Sequence, residues 1–85
     1  MKKVPKILLD SFLNVTRSFW KNGNSGSCEL SIDIARLLQK YSGIDWLCWK
    51  NLASSIFCTS GFKEEAKNEQ FYEILKILGV EVVDE

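Results

Sequence analysis

The sequence predicts an all-α fold, a compact four-helix bundle or orthogonal helical array with a short extended C-terminal tail. Three observations predict it. Four segments carry apolar residues at the i, i+3, i+4 spacing of a helix face. Turn-forming or capping residues separate them at positions 22–27, 43–45, 60–61 and 79. The single proline, Pro5, falls in the first turn of the first segment, so it interrupts no helix interior.

The first helix is expected over about residues 5–21. Pro5 suits its first turn, where a missing N–H costs nothing. Leu8, Leu9, Phe12, Leu13, Val15, Phe19 and Trp20 supply its apolar side, and Asp10, Asn14, Arg17, Ser18 and Lys21 the polar one. These apolar residues span more than one narrow stripe, so a surplus could form an exposed patch. Residues 22–27 all favour turns or permit positive φ and read as a loop. Ser27 or Ser31 is then expected to cap a second helix, with Leu30, Ile34, Leu37, Leu38 and Tyr41 as its apolar stripe and Gly43 as its left-handed C-cap.

Asp45 is a good N-cap for the third helix, which should run to about Cys58. Trp46 and Trp49 stand three apart on its apolar face, continued by Leu52, Ala53, Ile56 and Phe57. Lys50, Asn51, Ser54 and Ser55 fall opposite. The fourth helix follows Ser60-Gly61, opens on a charged turn from Lys63, and buries Phe71, Ile74, Leu75 and Leu78, with Tyr72 and Ile77 flanking; Gly79 ends it. Residues 80–85 alternate weakly, as a strand does. With no second strand in view, this tail either packs as an extended segment or pairs with another molecule.

Composition narrows the function classes. Eighty-five residues make one helical domain, and a hydrophobic fraction of 46% is enough for a packed core. Eleven basic and eleven acidic side chains cancel, which argues against a dedicated nucleic-acid binder. Lys2, Lys3, Lys6, Arg17 and Lys21 make the first quarter basic, and Glu81, Asp84 and Glu85 make the tail acidic. Three cysteines (Cys28, Cys48, Cys58), without a CxxC, read as reduced thiols of a cytoplasmic protein rather than a disulfide framework. The N-terminal run around Ile7-Leu8-Leu9 is broken by Lys6 and Asp10, unlike a secretory signal, and no segment has the length of a membrane span.

The chemistry-bearing motifs are few. There is no histidine, which removes the commonest general base and the Ser-His and Cys-His nucleophile pairs. No metal site is expected from three scattered cysteines, and no cofactor from the loop at 22–27, which lacks a Gly-Lys-Ser/Thr ending. Glu64, Glu65, Glu69 and Glu73 read as a solvated helix face with Lys63, Lys67 and Lys76 as partners. Gly43-Ile44-Asp45-Trp46-Leu47 resembles, over five residues, the Gly-x-Asp-Ser-Leu attachment motif of acyl carrier proteins. Trp46 stands where that family has its serine, so no phosphopantetheine can be attached there.

The expected function is therefore non-enzymatic: binding to a larger protein or complex through an aromatic-anchored helical surface. Small adaptors, antitoxins and phage- or mobile-element-type inhibitors share this size and this lack of chemistry. Trp20, Trp46, Trp49, Phe62 and Tyr72 are the candidate anchors, because Trp and Tyr dominate interface hot spots. The alternative is a helix-turn-helix-like regulator over residues 31–57 that binds nucleic acid through Lys2, Lys3, Lys6, Lys50 and Asn51. Homodimerisation is compatible with either.

Overall fold

In a computed structural model of the protein, the structure describes residues 2–23, 25–58 and 64–84. The element order is β1 (Lys2–Pro5), α1 (Lys6–Asn22), α2 (Ser25–Ser42), α3 (Trp46–Phe57), α4 (Glu64–Ile77) and β2 (Val80–Val83). The four-helix, all-α architecture is as the sequence predicts. The exception is a two-stranded parallel sheet in which β1 pairs with β2, Lys2 opposite Val80 and Pro5 opposite Val83. The tail thus has a partner within the chain, which corrects the expectation of a lone strand. A parallel pair needs a long crossover, and here all four helices form it.

Local chemistry explains the helix ends. Pro5, at φ −62° and ψ 133°, is the last strand residue and the N-cap of α1 in one. Gly23 closes α1 at φ 65°, with its N–H donating to the Phe19 carbonyl at 2.7 Å. The loop read over residues 22–27 is shorter than expected, because α2 already begins at Ser25. Ser31 is therefore not a cap. It is a buried residue one and a half turns into α2, and its hydroxyl donates to the Cys28 carbonyl at 2.7 Å. Asp45 does cap α3: its Oδ1 accepts the Leu47 N–H at 3.0 Å. The proposed stop at Ser60-Gly61 and the turn at Lys63 lie outside the described residues.

The core collects Val4 and Val80 from the strands, Leu9, Phe12 and Leu13 from α1, Ile34, Ala35 and Leu38 from α2, Trp49, Ala53, Ile56 and Phe57 from α3, and Phe71 and Leu75 from α4. Phe12, Trp49 and Phe71 meet at its centre. Their centroids are 6.2–6.4 Å apart, and the Phe12–Trp49 pair is edge-on, the favoured arrangement for aromatic quadrupoles. Two stripes are corrected. On α2, Ile34, Ala35 and Leu38 face inward, whereas Leu30, Leu37 and Tyr41 are exposed. On α4, Phe71 and Leu75 are enclosed, Ile74 is half-buried and Leu78 is exposed. Each helix offers more apolar residues than one inward face accommodates.

Candidate functional site

Helix α4 separates two clefts. Phe71 and Leu75 point to the core, Ile74 and Leu78 line a cleft on one flank, and Tyr72 and Lys76 line a cleft on the other. Each pair is spaced i, i+4, so each forms a row along the helix.

The first cleft lies between α3 and α4. Ile44, Cys48 and Leu52 make its α3 wall, Ile74 and Leu78 its α4 wall, and Trp49 contributes to the lining; its volume is about 250 Å³. All six side chains are apolar or thiol. Trp49 is only 1% exposed, so it is a core residue whose edge reaches the groove rather than an accessible anchor. Its indole N–H donates to Ser42 Oγ at 3.2 Å. The same hydroxyl accepts the Ile44 N–H at 3.1 Å and donates to the Leu38 carbonyl at 2.7 Å. The groove floor is thereby fixed to the end of α2. Cys48 and Leu78 stand exposed at its walls, Leu78 at 53%.

The second cleft, of about 560 Å³, lies beside β2 and is lined by Lys6, Tyr72, Lys76, Val80, Glu81 and Val82. Tyr72 is half-buried there and donates its hydroxyl to Asp10 Oδ1 at 2.7 Å. Burial first, then the hydrogen bond to Asp10 and its negative charge, hold the phenol above the ordinary tyrosine range. Tyr72 is therefore a neutral donor tying α4 to α1.

The other expected site residues are dispersed. Trp20 is 45% exposed near the end of α1 and meets the Phe19 ring edge-on at 5.6 Å. Trp46 is partly buried, with the Arg36 guanidinium 5.3 Å from its ring centroid and its backbone N–H donating to Gln39 Oε1 at 2.9 Å. Phe62 lies outside the described residues. Trp20, Trp46, Trp49 and Tyr72 thus do not form one aromatic patch. Sequence reasoning missed Ile44, Cys48 and Leu78 as groove residues. The i, i+4, i+8 spacing of Ile44, Cys48 and Leu52 was the available signal.

The basic residues do not converge either. Lys2 and Lys3 lie in β1, and Lys6 opens α1 at the β2 cleft. Lys50 donates from Nζ to Ser31 Oγ at 2.8 Å and sits 5.8 Å from the Phe19 ring centroid. Lys6 and Phe19 are thirteen positions apart on α1, roughly 20 Å along its axis. Asn51 is exposed on α3. Helices α2 and α3 are joined by a three-residue turn at 43–45, and the one lysine of α3 is engaged within the fold.

Among the described residues no group of three or more Cys, Asp or Glu is placed to hold a metal ion, and no helix is long and apolar enough to cross a membrane. The three cysteines are free thiols; Cys48 and Cys58 are exposed rather than packed. No family model matches the chain, and no curated protein or solved structure matches it.

Proposed function

We propose that the chain is a non-enzymatic protein-interaction module, an adaptor or inhibitor, that takes a row of apolar side chains from a larger protein into the α3–α4 groove. The observation that carries this reading is the lining of the groove: Ile44, Cys48, Trp49, Leu52, Ile74 and Leu78, with no charged side chain. Helix-in-groove recognition uses such a surface, with anchors spaced i, i+3 or i+4, i+7 on the incoming helix. A floor held by the Ser42 hydroxyl keeps its shape without the partner, which lowers the ordering cost of binding. Trp46, beside the N-terminal end of α3, is the aromatic candidate for the rim.

The experiment is capture of proteins from the native host lysate by the tagged chain, with and without nuclease, alongside Leu78→Glu. Leu78 is half-exposed, so a carboxylate there reaches water without unfolding the core. Retention that survives nuclease and is lost with Leu78→Glu supports the groove. Retention that ignores Leu78→Glu overturns it. Retention that disappears with nuclease returns the question to nucleic acid.

A further inference from the structure

Among the described residues, strand β2 has a neighbour on one side only. The sheet order is β1-β2, and β2 packs otherwise mainly against its own preceding helix, α4, while α2 packs against β1. Outside the ladder, no backbone hydrogen bond among the described residues uses residues 80–83. Val80, Glu81 and Val82 all line the larger cleft. Successive strand residues point to opposite faces. The cleft therefore follows the strand along its length, with Lys6 of α1 and Tyr72 and Lys76 of α4 as its other walls. Unpaired strand edges are commonly blunted by short length, charged side chains, proline or a bulge. Residues 80–83 are Val-Glu-Val-Val: the strand is short and carries one charge, Glu81, but no lysine or proline.

Charges of both signs stand around this edge. Lys6 and Lys76 stand at the cleft, both exposed, and neither makes an ion pair or hydrogen bond among the described residues. Glu81 and Asp84, on the strand and just beyond it, are exposed carboxylates. Lys76 lies at the Val80 end of β2, four residues before it. Lys6 lies at the other end, because Pro5 pairs with Val83. The two most exposed large apolar side chains among the described residues, Ile7 at 67% and Ile77 at 83%, follow these two lysines in sequence.

We propose that two copies of the chain associate through the free edges of their β2 strands, antiparallel about a two-fold axis. The sheet then continues as β1-β2-β2-β1. Reversal of direction brings the Asp84 end of each strand, which also carries Lys6, to the Lys76 end of the other, so the Asp84–Lys76 pair forms twice, with Asp84 offsetting the approach of the two lysines. It also brings the Ile7 end of one copy to the Ile77 end of the other. An isologous contact requires this reciprocity. The proposed contact uses no residue that lines the α3–α4 groove, so the inference stands or falls apart from the protein-docking reading.

The test is sedimentation of the full chain from micromolar to millimolar concentration, with amide spectra recorded over the same range. The expected mass rises from 9.7 kDa toward twice that value, more readily at low salt. The concentration-dependent amide changes should fall on residues 80–83. Lys76→Glu should weaken association roughly tenfold, since two modest ion pairs become repulsive, and Asp84→Lys added to it should restore association. Both side chains are exposed, and circular dichroism of each variant checks that the fold is kept. A constant monomer mass overturns the proposal. So does a dimer whose amide changes fall elsewhere, on the exposed Leu30, Leu37 and Tyr41 row of α2 for example, or one that Lys76→Glu leaves unchanged.

Discussion

The indole N–H of Trp49 donates to the hydroxyl of Ser42, seven residues earlier, inside the core. That hydroxyl is saturated: it donates once, to Leu38, and accepts twice, from Ile44 and Trp49. Ser42→Ala leaves two donors without an acceptor. An unsatisfied buried donor costs about 1–3 kcal/mol. The expected loss is in that range, read by urea denaturation. In a Trp49→Phe background, which removes the indole N–H, the same substitution should cost measurably less. Equal costs in both backgrounds would mean that the Trp49 bond contributes nothing.

This bond also shows where the sequence stops being legible. Trp46 and Trp49 share an apolar helix face, and periodicity ranks them alike. The choice of Trp49 for the interior rests on a hydroxyl acceptor in another helix, a non-local fact. Asp45 was readable because a cap acts within two residues. β1 was not readable: Lys2-Lys3-Val4-Pro5 has one inward valine, and its partner lies 78 positions away. The α2 stripe was misjudged because Leu30, Leu37 and Tyr41 satisfy the same period as Ile34 and Leu38. Only packing against α1 and α3 decides which row turns inward.

Thr16 is a second polar residue in the core, 1% exposed, and its Oγ1 has no hydrogen-bond partner among the described residues. Replacing the hydroxyl with a methyl of similar size removes a desolvated polar group and breaks no bond. Thr16→Val should therefore be neutral or stabilising by up to about 1 kcal/mol, whereas Leu9→Ala in the same helix should cost about 2–5 kcal/mol. Thermal and urea unfolding of the two variants checks both. A marked loss with Thr16→Val would show that the hydroxyl is satisfied.

Lys50 joins three helices: it extends from α3, bonds to Ser31 on α2 and sits by Phe19 on α1. Lys50→Met keeps the apolar stem and removes the charged donor. A stability loss of about 1–2 kcal/mol is expected, the lower part of the range for charged hydrogen bonds because the site is only part-buried. Ser31→Ala combined with it should cost less than the sum of the two, since both remove one interaction. If Lys50 were instead free to reach phosphate, Lys50→Met would leave unfolding unchanged and weaken nucleic-acid binding in a salt-dependent way.

Tyr72 makes a prediction about alkaline pH. Its folded pKa lies above the unfolded value of about 10, because burial and the Asp10 carboxylate both disfavour the phenolate. Below pH of about 10 both states keep the proton, and the Tyr72–Asp10 contribution is fully present. Above that, the unfolded chain releases the proton first and binds fewer protons than the folded one, so stability falls as pH rises toward the folded value. Tyrosinate absorbance in a Tyr41→Phe background isolates Tyr72, the other of the two tyrosines. Its titration should lie above the ordinary range. Asp10→Asn should move it down, but not the whole way, because burial is the larger cause and remains. A midpoint that Asp10→Asn does not move would assign the displacement to burial alone and detach Tyr72 from α1.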